Sequence, residues 1–236
     1  MPLAPVAVGA ALFLRLLRPG RPVREAALLA LTAVMAALVA ITEGLSAIAT
    51  ITPLALSLAW LVVLMATVVW SWRGIRPGLM HLRASVPTLD RADRVAVATL
   101  VVFSGGTLLS ALLYPVVNYD SLTAHMPRVF FWLQNGSVAH YPTPFGPQLF
   151  SGTTTAYVVL HLKALAGGGD RLVNLAGWLA YVFAVMTISL ITMRLGARRR
   201  GQQLASVVAA ATPMALLQAS TTQTDITTAL WCLAAV

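Results

Sequence analysis

Long apolar runs separated by short polar clusters dominate the hydrophobic pattern of the chain. From Ala26 to Trp72 the only charged residue is Glu43, and a run of this length is too long for one membrane helix and fits two. Taken together, the apolar runs predict about six spans, at 26–46, 50–72, 95–117, 172–193, 202–219 and 226–236. The pattern therefore predicts an all-α, polytopic transmembrane protein.

Three further segments do not fit a simple span. Residues 1–14 are apolar but too short to cross a bilayer, so they predict an interfacial or disordered start. Residues 118–150 form the longest polar stretch that is not rich in arginine. The next run, 151–166, is apolar but short and contains His161 and Lys163, which predicts an amphipathic helix on the membrane surface.

Composition and charge support the membrane interpretation. Of the 236 residues 58% are hydrophobic and only 10% are charged, well below the roughly 25% of ordinary soluble proteins. The apolar runs are continuous, which excludes the alternating pattern of a membrane β-barrel. Most of the net charge of +9 comes from three basic clusters between these runs, which makes nucleic acid an improbable partner.

The positions of the basic clusters predict the orientation of the chain. Because cytoplasmic loops are enriched in Lys and Arg, residues 15–24, 73–94 and 194–200 are expected in the cytoplasm. A large loop at 118–170 and the later Asp225 are then expected together on the outer face. The predicted division is an N-terminal membrane hairpin with a cytoplasmic basic loop, 1–94, followed by a membrane module, 95–236, that carries the outer loop.

The start of the outer loop contains the first candidate for chemistry. In a regular helix, Asp120 and Arg128 would share a face at i and i+8, and His125 would lie three residues from Arg128. An acid, an imidazole and a guanidinium at a membrane surface suit deprotonation of a hydroxyl while a phosphate is held. The alternative is that Asp120 caps a helix and Arg128 anchors to lipid headgroups.

Asp225 follows a threonine-rich stretch and is expected on the same side of the membrane as Asp120. One interpretation makes it the N-cap of a helix over 226–236. In another, Asp120 and Asp225 share a divalent cation, Mg²⁺ or Mn²⁺, since hard cations prefer carboxylate oxygens. In a third, the two acids divide the roles of base and substrate binder. Acids beside membrane segments are rare enough to be functional candidates.

The order of these features resembles the GT-C superfamily of membrane glycosyltransferases, in particular bacterial proteins related to glycosyltransferase family 39. The string 119–137 is similar to one found in some bacterial members, as is Gln218-Ala219-Ser220 before the second acid. The resemblance covers roughly 95–236. Its matching features are Tyr119-Asp120, Tyr141-Pro142-Thr143-Pro144 with the 151–166 helix, Arg194 to Arg200, and Thr224-Asp225.

The resemblance implies a glycosyltransferase of the bacterial inner membrane and cell envelope. A polyprenyl-phosphate-linked sugar would be the donor, and a glycan or lipid hydroxyl on the non-cytoplasmic face would be the acceptor, with inversion at the sugar. Asp120 would be the catalytic base, His125 and Arg128 would bind near the donor phosphate, and Asp225 would bind substrate or a metal. Family members carry further spans, so the chain is expected to be the N-terminal portion of such a protein.

Two other classes of function remain open on the residues alone. One is a transporter or flippase subunit whose acids couple to protons or cations, and the other is a non-catalytic membrane scaffold. A transporter predicts charges or helix breaks within its spans near the membrane midplane. Asp120 and Asp225 lie at the ends of apolar runs instead, which favours chemistry at the interface.

Overall fold

The computed structural model describes residues 3–85 and 87–236, and these residues form helices, turns and loops without a β-strand. The all-α prediction is confirmed for this part of the chain. A π-helical turn, Ser121–His125, leads directly into α5. The α-helices are α1 Ala4–Leu16, α2 Val23–Ala47, α3 Pro53–Ala84, α4 Arg91–Leu113, α5 Met126–Asn135, α6 Pro147–Phe150, α7 Thr154–Leu165, α8 Leu175–Arg194, α9 Arg199–Ala210, α10 Pro213–Gln218 and α11 Asp225–Ala234.

Four helices in the described ranges are long and apolar enough to cross a membrane: α2, α3, α4 and α8. They coincide with the first four predicted spans, so the chain has the character of a membrane protein. Helix α3 continues past the predicted end at 72 to Ala84. Helix α4 stops at Leu113, before the predicted end at 117, because Pro115 disfavours helical geometry at Tyr114, which is extended.

The last two predicted spans have a different local structure. The run 202–219 is divided into α9 and α10, with Thr212 in an extended conformation immediately before Pro213. Proline lacks an N–H and restricts the residue before it, so it ends one helix and begins the next. Helix α11 has ten residues. A topology of six spans therefore stays a prediction.

Two sequence interpretations need correction. The first residues are not disordered from Ala4 onward, because they form α1, which packs against α2 and α3. The segment 151–166 does contain a helix, α7, but no residue of α7 is exposed. It is therefore not a surface amphipathic helix: its buried side chains include Ala156, Val159 and Leu160.

The described residues divide into two compact units, and the first comprises α1 to α3 with residues 133–139 and 164–168. Helix α1 lies close to α3 at Gly74 and Gly78, where an added Cβ would overlap Arg15 and the Leu14 carbonyl. Loop 133–139 joins this unit through the Ile51 N–H, which donates to the Gly136 carbonyl at 2.9 Å. Glycine suits this turn because its φ is +64°.

The second unit contains α4, α8 to α11 and most of the loop at 118–170. At one end, Arg199 pairs with the buried Asp93 at 2.8 Å and Arg200 pairs with Asp90 at 2.8 Å. At the other end, the Asn174 side chain donates to the Tyr114 carbonyl at 3.2 Å. Helices α4 and α8 therefore run antiparallel, with the candidate site beyond the Tyr114 end of α4.

Candidate functional site

The candidate site begins where the chain leaves α4 and turns into the helical segment that starts at Tyr119. Asn118 caps this segment, because its side-chain oxygen accepts from the backbone N–H groups of Asp120 at 3.0 Å and Ser121 at 3.3 Å. The Asp120 carboxylate makes no capping hydrogen bond and is exposed. The capping interpretation of Asp120 is therefore wrong, and its carboxylate is directed outward instead.

A π-helical turn separates Asp120 from Arg128. The Met126 N–H donates to the Ser121 carbonyl, which is the i to i+5 pattern of a π-helix, and such single turns occur often at functional sites. The extra residue changes the helical register, so Asp120 and Arg128 do not present a common surface. Asp120 is exposed, whereas Arg128 is only 1% exposed. The predicted face shared by the acid and the guanidinium is absent.

Arg128 holds the loop at 147–152. Its guanidinium donates to four backbone carbonyls of this loop, at distances of 2.6 to 3.3 Å, and lies 5.5 Å from the Trp132 ring centre. Burial lowers the pKa of Arg128 from its ordinary value. A guanidinium used in this way is neither an anchor to headgroups nor open to a phosphate. The carbonyls belong to Pro147, Gln148, Ser151 and Gly152.

Gln148 connects the same loop to the π-helical turn. Its amide nitrogen donates to the Thr123 carbonyl at 2.8 Å, and its amide oxygen accepts from Thr143 at 2.9 Å and Tyr141 at 3.2 Å. Burial raises the pKa of the Tyr141 hydroxyl. The Tyr-Pro-Thr-Pro stretch therefore supplies two hydroxyls that fix one buried amide. Sequence reasoning did not single out Gln148, because a lone glutamine in a polar loop carries no periodic signal.

The segment 218–225 brings the second acid to the first. Gln223 donates from its amide nitrogen to a carboxylate oxygen of Asp120 at 3.0 Å, and Gln218 does the same to Asp225 at 3.0 Å. Asp225 is the first residue of α11, and its carboxylate is exposed. Helix α11 has no side-chain cap, so the N-cap interpretation of Asp225 is also wrong. The structure thus brings residues of two distant segments to one site.

Gly177 on α8 allows this segment to approach. An added Cβ at Gly177 would lie 2.7 Å from the Gln218 carbonyl oxygen and would also overlap the Thr221 carbonyl. Only a residue without a side chain permits the backbone before Asp225 to lie against α8 at this point. The sequence did not identify Gly177, Gln218 or Gln223 as site residues. A charge-free span gives no indication of which glycine faces a loop.

The charges of both acids, Asp120 and Asp225, act on the buried side chain of His125. Its side chain is 6% exposed, and its Nδ1 has no hydrogen-bond partner in the described structure. Burial, followed by the positive charge of Arg128, lowers the pKa of His125, while Asp120 and Asp225 act in the opposite direction. The imidazole is consequently neutral at pH 7. His125 is therefore within electrostatic range of the other three predicted residues, Asp120, Arg128 and Asp225.

Few side chains in the described residues are placed to coordinate a metal ion. No group of three or more His, Cys, Asp or Glu side chains that could hold a metal ion occurs in residues 3–85 and 87–236. The two exposed carboxylates, Asp120 and Asp225, are of the right chemistry for Mg²⁺ or Mn²⁺. They fit a cation only if water or substrate oxygens complete its coordination, as is common for Mg²⁺ bound with phosphate.

His161 and Lys163 do not face lipid headgroups. Lys163 is 5% exposed, pairs with Asp170 and lies 4.2 Å from the Phe130 ring centre. His161 is 2% exposed, and burial lowers its pKa to about 3, so it is neutral at physiological pH. Both side chains are therefore buried parts of the packing around α7.

Comparisons of the chain with protein-family models, with curated proteins and with solved structures found no match in any of the three. The case for a function therefore depends on the site itself. Its essential geometry is an exposed acid at the start of a π-containing helix, hydrogen-bonded to Gln223, which lies two residues before a second exposed acid at the start of α11.

Proposed function

We propose that the chain belongs to a membrane glycosyltransferase that moves a sugar from a polyprenyl-phosphate donor to an acceptor hydroxyl. The hydrogen bond from Gln223 to Asp120 is the observation that carries this proposal, because it joins two acid-bearing segments 103 residues apart. Neither acid is used as a helix cap, so helix capping does not account for the presence of either one. Exposed acids held in this way at the ends of membrane helices suit interfacial chemistry.

Asp120 is the base in this reaction. One of its carboxylate oxygens accepts from Gln223, which leaves the other to take the proton of the acceptor hydroxyl. As the proton moves to Asp120, the acceptor oxygen forms a bond to the anomeric carbon of the sugar. The bond between this carbon and the phosphate oxygen breaks, and prenyl phosphate leaves with the electron pair. A single displacement of this kind inverts the anomeric carbon.

The other residues orient the substrates. Asp225 accepts hydrogen bonds from sugar hydroxyls and is held for this by Gln218. His125, buried and neutral, supports the π-helical turn below Asp120. Arg128 is assigned a positioning role through loop 147–152, in place of the donor-phosphate contact implied by the resemblance. The expected setting is the outer face of the bacterial inner membrane.

A divalent cation is compatible with this assignment. Asp120 and Asp225 are the two side chains that would hold it, with oxygens of the donor phosphate or water as further ligands. A cation bound there would neutralise negative charge on the leaving phosphate. The part of the reaction assigned to the chain itself is acceptance of the hydroxyl proton by Asp120 and orientation of the sugar by Asp225.

A transporter or flippase subunit is the second candidate, and one observation favours it. The break between α9 and α10 lies within the fifth predicted span, and transporters place substrate sites at such discontinuous helices. The acids themselves lie elsewhere, at the starts of the helical segment after Asn118 and of α11. The two functions differ in outcome, since one consumes the lipid-linked sugar and the other moves a solute across the bilayer.

The test is a transfer assay in proteoliposomes. The chain is supplied with short-chain polyprenyl-phosphate hexose and pentose donors and with bacterial lipid and glycan acceptors, and release of prenyl phosphate is measured. General-base catalysis contributes about 100-fold or more, so Asp120→Asn is expected to reduce release at least to that extent. Glu43→Gln makes the same chemical change on an exposed acid outside the site and is expected to retain full activity.

Two outcomes would overturn the proposal. Transfer at the wild-type rate by Asp120→Asn, with normal insertion into the membrane, would remove the catalytic assignment. Movement of a lipid-linked sugar or an ion across the vesicle membrane, without any consumption of donor, would support the transporter instead.

A further inference from the structure

A threonine-lined cavity lies next to the segment that ends in Asp225. Its volume is about 40 Å³, and Thr224, directly before Asp225 in the chain, forms part of its wall. The opposite wall is the beginning of α7 and the loop before it. Five of its seven lining residues are threonines. The complete lining is Gly152, Thr154, Thr155, Thr224, Thr227, Thr228 and Trp231. We refer to it below as the threonine cavity.

The threonine cavity contains polar atoms without partners in the described structure. The Thr155 hydroxyl and the Trp231 indole nitrogen are both buried and make no hydrogen bond. Thr155 is only 2% exposed. Buried polar groups are nearly always hydrogen-bonded in native proteins, and each exception needs an explanation. Both residues line one cavity, and a ligand there that supplies hydrogen-bond acceptors would satisfy both groups.

The lining determines what kind of ligand fits. No charged side chain lines the cavity, so it does not match a phosphate or a cation. A threonine hydroxyl donates one hydrogen bond and accepts others, and an indole N–H donates one, which together suit neutral hydroxyl groups. The volume holds a few water-sized groups, such as one edge of a sugar ring with its hydroxyls, and not a complete ring.

The walls of the cavity are held by contacts that belong to the candidate site. Arg128 donates to the carbonyls of Ser151 at 2.9 Å and Gly152 at 3.3 Å, and thereby fixes the loop that leads into α7. On the other side, the Thr228 hydroxyl donates to the Thr224 carbonyl at 3.0 Å. The cavity is therefore built between the loop that Arg128 holds and the helix that Asp225 begins.

We propose that the threonine cavity binds the hydroxyl-bearing edge of a sugar. This inference rests on the proposed function, since it gives a subsite to the sugar that Asp120 and Asp225 would act upon. The sugar is the one carried by the lipid donor, and a sugar of the acceptor is the other source with the same chemistry. The unpartnered polar groups of Thr155 and Trp231 distinguish the threonine cavity from an ordinary packing defect.

The inference can be tested by binding alone, without catalysis. Saturation-transfer NMR on the detergent-purified chain measures the affinity of methyl glycosides of common hexoses and pentoses. Thr155→Val keeps the shape of the side chain and removes the hydroxyl, and it is expected to weaken binding about five- to tenfold. Thr99→Val makes the same change on α4, away from the cavity, and is expected to bind as the wild type does.

The thermal transition separates a binding role from a structural one. Because the Thr155 hydroxyl has no hydrogen-bond partner among residues 3–85 and 87–236, Thr155→Val is expected to unfold at the wild-type temperature or above it. Displacement of the glycoside by a short-chain prenyl-phosphate sugar identifies the donor as the source, and simultaneous binding of both identifies the acceptor.

Wild-type affinity in Thr155→Val, or no glycoside binding by the wild type, overturns the inference. If Asp120→Asn abolishes transfer while Thr155→Val binds glycosides normally, this inference fails and the proposed function stands. If glycoside binding depends on Thr155 but no donor is consumed, the proposed function fails and the sugar subsite stands.

Discussion

Replacement of Arg128 is the most direct test of how the site is built. Arg128→Met removes the guanidinium and the four hydrogen bonds that it donates to carbonyls of loop 147–152. Three of these hydrogen bonds are 3.0 Å or shorter, and of their acceptors the Pro147 carbonyl keeps the Ser151 hydroxyl as a donor. At about 1 kcal/mol for each of the two carbonyls left unsatisfied, the loss is about 2 kcal/mol. For a chain of this size that lowers the Tm by about 4–8 °C.

The assay is thermal unfolding of the detergent-purified chain at one fixed scan rate, together with limited proteolysis of loop 147–152. Arg128→Lys is the informative companion, because lysine keeps the charge but cannot reproduce the planar fork of donors. It is expected to destabilise the chain as well and to expose the loop to protease. Arg171→Met, a change at an exposed arginine shortly before α8, is expected to leave the Tm within about 1 °C of the wild type.

A wild-type Tm in both Arg128 variants would refute this reasoning. It would mean that water or a rearranged loop replaces the guanidinium without loss. If Arg128→Lys kept its stability and lost only affinity for a prenyl-phosphate sugar, the phosphate-binding role implied by the family resemblance would be correct instead.

Two further predictions follow from the packing. Gly177→Ala is expected to lower the Tm by several degrees because its Cβ would lie 2.7 Å from the Gln218 carbonyl oxygen. Gly105→Ala, whose Cβ meets open space, is expected not to lower the Tm. Equal Tm values would show that the segment before Asp225 does not need the close approach to α8. Burial lowers the pKa of His161 to about 3, so the folded state binds fewer protons than the unfolded state between pH 3 and 6.5. Stability is fully present above pH 6.5, and unfolding scans should show a loss of about 2 kcal/mol between pH 6.5 and 5, which His161→Leu should reduce. A pH dependence unchanged in His161→Leu would contradict the burial of a neutral imidazole.

Several features of the site were accessible from the sequence. Asp120 and Asp225 were selected because acids beside apolar runs are rare, and in the structure both are exposed, with Gln223 hydrogen-bonded to Asp120 and Gln218 to Asp225. The break at Pro213 also had a visible signal, since proline inside an apolar run disfavours one continuous helix. The prediction of a single span at 202–219 counted apolar length and overlooked that signal.

Other features had no local signal. A regular helix from Asp120 to Arg128 was the simplest interpretation, and the π-helical turn that changes its register depends on how the segment packs. The destination of the Arg128 side chain depends on loop 147–152, about twenty residues further along the chain. Helix α7 contains a histidine and a lysine, which suggested a surface; both are buried, and the lysine meets Asp170 and Phe130.

The sequence by itself determined the class of the molecule. The transfer free energy of long apolar stretches is a sum over neighbouring residues, so α2, α3, α4 and α8 could be located by composition and length alone. Only the tertiary structure decided which polar groups meet, because hydrogen bonds such as Gln223 to Asp120 and Arg128 to the Gln148 carbonyl join residues far apart in the chain. Their formation depends on the positions of whole helices and loops, which no local pattern of residues contains.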